Sequence, residues 1–202
     1  MRLALKALTL FSVFLAAVVG NSAHATVACS VTAYDTEKFV SIDDEFASGV
    51  QDITHCLEKS NAAKVVVAVD YTHPYDAVGN VQTNKATFLS NIDKMVRNYE
   101  VVNGMEVGKD VEIVVVFNGS SAALATTQHP MFARSNAGDP ANPFRHLVEY
   151  GIEQGFTFYV CRSAARALGI NMENKIPEVN FVPGGHITVA DFQMRGYALI
   201  RP

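Results

Sequence analysis

Phe156-Thr157-Phe158-Tyr159-Val160-Cys161-Arg162-Ser163-Ala164-Ala165-Arg166-Ala167-Leu168-Gly169 is the stretch that decides the fold. An aromatic and β-branched run suits a strand, and the Ala- and Arg-rich run directly after the cysteine suits a helix. A strand feeding straight into a helix leaves Cys161 at the strand's carboxyl end and at the helix amino terminus. In open α/β sheets that edge is where sites gather. The free N–H groups of a helix start also favour a thiolate over a thiol. One sulfur is therefore the candidate catalytic atom.

Working outward, the same strand-then-helix alternation recurs. Lys64-Val65-Val66-Val67-Ala68-Val69 and Val111-Glu112-Ile113-Val114-Val115-Val116-Phe117 are short apolar runs typical of strands covered on both faces. Between them Leu89, Ile92, Val96, Tyr99 and Val102 mark a helix face. A short helix is expected over residues 122–126. A second has clear punctuation, with Asn142 as cap, Pro143 at the first helical position and Gly155 beyond the end. Val179 to Val182 reads as a strand, Ile187 to Arg195 as a helix stopped by Gly196, and Tyr197 to Ile200 as a last strand.

Five strands alternating with helices predict an α/β fold, a three-layer α/β/α sandwich with a largely parallel five-stranded sheet. Right-handed crossovers would put the loops after Val69, Phe117, Val160 and Val182 on one edge. Those loops hold His73, Asn118, Cys161 and His186. Neither GxGxxG nor GxxxxGK[ST] occurs at any of them, so no nucleotide cofactor is expected.

The amino terminus reads as a processing signal. Arg2 and Lys6 precede an apolar run from Ala7 to Val19, and Ala23-His24-Ala25 is a small-x-small cleavage pattern. The apolar run is too short to make a comfortable permanent span. The alternatives are an uncleaved anchor and a lipoprotein site at Cys29, which lacks the usual leucine three places earlier. The expected organisation is a signal peptide over residues 1–25, a partly helical extension over 26–61, and the α/β domain over 62–202. Within the extension Phe46, Val50, Ile53 and Leu57 recur at helical spacing. Export implies a periplasmic location. The full chain carries 20 acidic against 16 basic groups, and losing Arg2 and Lys6 makes it more acidic. Nucleic acid is therefore a poor partner.

Of the three cysteines, Cys29 and Cys56 both lie in the extension and form the parsimonious disulfide in an oxidising compartment. Cys161 is then the odd thiol. No C-x-x-C exists, which leaves a dithiol redox site unsupported. No second ligand stands near any cysteine in sequence, so no metal is expected. His73 and His129 share no ligand spacing. Asn118-Gly119-Ser120 fits a glycosylation sequon, but a turn explains it as well.

At this point four separated segments carry a resemblance. Glu112 to Gly119, Gly155 to Arg162 with Ala165 to Gly169, Val179 to Gly184, and Gln193-x-x-Gly-Tyr-Ala-x-Ile-x-Pro202 resemble the DsrE/DsrF-like family in order and spacing, across roughly residues 62–202. The resemblance implies an α/β sandwich that assembles as a homo-oligomer, a trimer or hexamer. It also implies that Cys161 corresponds to the cysteine that carries a persulfide in the family's sulfur relays, with a sulfur donor or acceptor protein as partner. Two departures matter. Relay members are typically cytoplasmic, whereas this chain has an export signal, and the extension lies outside the resemblance.

Two readings of Cys161 follow, a sulfur carrier and a buried core residue in a non-catalytic, oligomeric ligand-binding or structural protein. Arg162, His186 and Asn118 are the supporting candidates: positive potential, a proton shuttle and a positioning donor. The bland readings are a solvated arginine, an ordinary loop histidine and a turn-forming Asn-Gly. No G-x-S-x-G elbow is present, so acyl transfer is unsupported. Non-reducing peptide mapping of the mature protein is expected to give Thr26 as the first residue, a Cys29–Cys56 pair and a free Cys161. Either of the first two cysteines linked to Cys161 would overturn that assignment.

Overall fold

The computed structural model describes residues 62–70, 87–133 and 136–202. The helix expected through Phe46, Val50, Ile53 and Leu57, the Cys29–Cys56 pair, the cleavage site and His73 lie outside them. Five parallel strands form one sheet: β1 (Ala63–Val69), β2 (Val111–Phe117), β3 (Thr157–Cys161), β4 (Asn180–Val182) and β5 (Ala198–Ile200). Their spatial order is β4-β3-β2-β1-β5. β1 and β2 pair over their full length, from Ala63 opposite Val111 to Val69 opposite Phe117. Both are valine-rich because both faces of the sheet centre are covered.

Alternation along the strands sorts the core into two layers. Val65, Val67, Val69, Ile113, Val115, Phe117, Phe158 and Val160 point to one face. Against it pack α1 (Thr87–Ser90), α2 (Ile92–Arg97), a 3-10 helix (Gly119–Ala125), α3 (Pro130–Ala133), α4 (Arg145–Glu153) and α5 (Arg162–Ala167). Val66, Ala68, Val114 and Val116 point to the other face, where Val189 and Phe192 of α6 (Gly185–Met194) meet them together with Tyr197. Tyr197 lies edge-on to Phe192 with ring centroids 4.8 Å apart. The sandwich is α/β/α as expected, with unequal layers among the described residues.

Several boundaries differ from expectation for local reasons. The helix face through Leu89, Ile92, Val96 and Tyr99 is buried as expected. The backbone, however, leaves the helix at Asn91 (φ −104°, ψ 7°) and widens to π winding over Asn98–Val102. Asn142 spends its side chain on three buried backbone groups. Its Nδ2 donates to the carbonyls of Leu124 and Thr126, at 3.0 and 2.7 Å, and its Oδ1 accepts from the Phe144 N–H at 2.9 Å. This turn delays the start of α4 to Arg145, beyond Pro143. The helix after Asn118 is 3-10 rather than α, and the helix after β4 begins at Gly185, earlier than the expected Ile187.

Gly155 ends α4 with φ +86°, and a Cβ there would stand 2.9 Å from the Gly108 Cα. Gly196 has a similar φ of +88° but open space around it. Both positions strain an L-residue by about 1–3 kcal/mol, and Gly155 adds a collision with backbone that has no rotamer to change. Gly155→Ala is therefore expected to destabilise the domain more than Gly196→Ala. Urea unfolding of the two variants measures the difference.

Candidate functional site

The crossovers from β1, β2 and β3 all leave toward the face of α1–α5, whereas the crossover from β4 leaves toward the face of α6. Adjacent strands whose connections part to opposite faces open a crevice at their carboxyl ends. Here those strands are β3 and β4, and Cys161 is the last residue of β3, opposite Val182. Tyr159, two residues earlier, packs on the α6 side, so strand alternation turns Cys161 toward that side as well.

Two helix starts flank the sulfur. Cys161 is the residue before α5, in extended conformation (φ −60°, ψ 118°). The Sγ lies 3.0 Å from Ser163 Oγ and the residue is only 3% exposed. Burial pushes the thiol pKa up, the strongest single influence. The Ser163 hydroxyl and the backbone N–H groups of Ala164, Gly185 and Ser163 together outweigh it and hold the pKa below the ordinary thiol value.

Arg162 is exposed, with its guanidinium carbon 4.5 Å from the centroid of Phe181. Phe181 packs with the core of the α1–α5 face, so Arg162 is engaged away from the α6 side to which Cys161 turns. Asn118, at the end of β2, gathers the neighbouring loops. Its Nδ2 lies 3.1 Å from Asp70 Oδ1 at the end of β1 and 2.8 Å from His186 Nε2 in the first turn of α6. Thus Asn118 and His186 meet at the sheet edge that also holds Cys161. The α6 amide that acts on the sulfur is supplied by Gly185, which adjoins His186.

His129 is remote in role. Its Nε2 lies 2.8 Å from the Leu168 carbonyl and its Nδ1 accepts from the Met131 N–H at 3.1 Å, so both ring nitrogens fasten the backbone. Among the described residues no group of three or more His, Cys, Asp or Glu is arranged to hold a metal. No helix among them is long and apolar enough to cross a membrane.

Sequence reasoning missed Ser163, Gly185 and Asp70. Ser163 was legible as a hydroxyl two residues beyond a strand-end cysteine. Gly185 and Asp70 come to the site only through the pairing of distant strands.

An open parallel α/β sandwich with a buried, polarised cysteine at its switch point is the class that fold and site define. The model of the DsrE/DsrF-like family matches residues 64–202, and the chain belongs to that family. Among solved structures it is similar to the protein of unknown function MTH1491 from Methanobacterium thermoautotrophicum. That likeness has 20% identity and a TM-score of 0.51, and covers 69% of this chain and 99% of that one. The ychN protein from E. coli aligns at 13% identity with a TM-score of 0.43, over 69% of this chain and 99% of its own. No curated protein matches the chain.

Ser163→Ala removes the side-chain donor to the sulfur and is expected to raise the Cys161 pKa. The pH profile of alkylation at Cys161, read by peptide mass, should then move to higher pH. The sign carries over to stability. The native chain releases this proton at lower pH than the unfolded chain, so its contribution is complete above the unfolded thiol's pKa near about 8.5. It is lost as pH falls through the native value.

Proposed function

We propose that this protein handles sulfane sulfur, carrying it as a persulfide on Cys161. One observation carries the reading: a buried thiol is nevertheless biased toward the thiolate by donors from two helix starts. The thiolate is the form that attacks sulfur. In the proposed step Cys161 Sγ attacks the outer sulfur of a persulfide donor R–S–SH. A new S–S bond forms, the donor's S–S bond breaks, and the electron pair leaves on RS−, which takes up a proton. Cys161–S–SH then yields its outer sulfur to an acceptor thiolate by the same exchange, with no net oxidation. Family membership supports the class of chemistry. The amino-terminal signal supports a periplasmic setting, and the donor or acceptor would be another thiol protein. Assembly as a homo-oligomer, a trimer or hexamer, belongs to the same reading.

The second reading has its own observation. At 3% exposure, Cys161 also suits a core thiol in a non-catalytic protein that keeps the fold, since free cysteine is among the most buried residue types. Incubating the mature protein with polysulfide separates the two. The carrier reading expects a mass gain of one sulfur at Cys161, removed by reductant and absent in Cys161→Ser. A folded protein that neither alkylates at Cys161 nor gains sulfur at any pH would establish the core reading instead.

A further inference from the structure

We propose that Asn118 is a positioning residue for Cys161 that acts through Gly185, setting where the first turn of α6 presents its amide to the sulfur. This inference rests on the carrier reading and specifies what holds the sulfur's surroundings in place.

The contact that carries it is steric. A Cβ built on Gly185 would stand 2.8 Å from Asn118 Oδ1, 2.9 Å from its Cγ and 3.1 Å from its Cβ. The α6 backbone thus rests directly on the Asn118 side chain, and a Cβ at position 185 would force one of the two to shift. Gly185 is also the residue of α6 whose N–H favours the Cys161 thiolate. Asn118 is a well-fixed seat. Its N–H donates to Ser121 Oγ at 2.9 Å, and the buried Ser121 hydroxyl in turn bonds the Val69 carbonyl at the end of β1. Its Nδ2 lies 3.1 Å from Asp70 Oδ1 and packs on the His186 ring, 2.8 Å from Nε2 and 3.3 Å from Nδ1. His186 follows Gly185 in the chain, so the same side chain touches both of the first two residues of α6. The helix cannot move toward β2 without collision.

Ser163 and the α5 amides reach the sulfur without help from β2, because they follow Cys161 directly in the chain. The Gly185 amide lies 24 positions further on, across β4. Of the groups that favour the thiolate, it is the one whose placement needs a separate anchor. Asp70 and His186 are the titratable groups held by Asn118 at this edge, and Arg162 is stacked on Phe181.

The test uses the full-length protein with Asn118→Ala, Gly185→Ala and the double variant. Each is first shown to be folded by circular dichroism, then treated with a small neutral alkylating reagent across a pH series. Reaction at Cys161 is read by peptide mass. Each single change is expected to move the profile to higher pH and slow the reaction several-fold at neutral pH. The double variant should be no slower than the slower single one, because both changes release the same seat. A low-lying wild-type profile that Asn118→Ala leaves unchanged overturns this inference and spares the carrier reading. Multiplying effects in the double variant also overturn it. A wild-type profile like that of a free cysteine overturns both. Where Gly185→Ala does not fold, Asn118→Ala decides. Where that fails too, Asn118→Ser decides in its place by the same comparison with wild type, since it keeps a short polar side chain at the turn.

Discussion

The pairing of β1 with β2 is the constraint on which the remaining structure depends. Seven consecutive residues of each strand face one another in parallel register. Val66, Val67, Val115 and Val116 are fully buried within this pair, and burial of each such side chain is worth roughly 1.5–3 kcal/mol. A shift of one residue would turn every side chain to the wrong face. With that register fixed, the ends of β1 and β2 are level, so Asp70 and Asn118 emerge side by side. β3 and β5 then add to the two flanks of the same pair.

The site is a consequence of where the chain reverses direction in the sheet. Three crossovers step outward from β1 to β4 along one face, and the fourth returns across the other face to β5. A return on the first face would meet helices already in place. The reversal parts the connections of β3 and β4 and brings the start of α6 beside the end of β3. Cys161 therefore stands between one helix that continues its own strand and another that arrives from the neighbouring strand. The buried thiol is not left uncompensated, because each helix start has N–H groups without intrahelical partners. Those groups act on the sulfur in the same direction.

Other polar groups buried in the domain show a different use of the same rule. The Lys175 ammonium donates to the carbonyls of Ile176 and Pro177, each at 2.7 Å. Burial holds its pKa below the ordinary lysine value. Asn142 and His129 likewise spend their polar atoms on backbone groups. These residues are satisfied locally and brace loops. Cys161 differs in that several of the groups around it are matched to an anion rather than to the neutral side chain.

What the amino-acid sequence determined by itself is the five strands, most of the helices between them and the position of the sulfur. Valine-rich runs bounded by polar loops marked β1 and β2, and the change from Phe156–Val160 to the alanine-rich run after Cys161 marked β3 and α5. Glycines at residues 155, 169 and 196 marked the helix ends, where φ is positive. These signals are local, since propensity, periodicity and turn geometry act over a few residues. Only the tertiary structure decided which side chains serve Cys161. Arg162 is adjacent in sequence yet stacks on Phe181, because the side chains of consecutive residues leave the backbone in different directions. Gly185 and Asp70 carry no chemical signature of their own. They matter because strand register, crossover side and the steric seat on Asn118 bring distant backbone and side chains to one edge, and those are properties of packing between elements rather than of any one stretch.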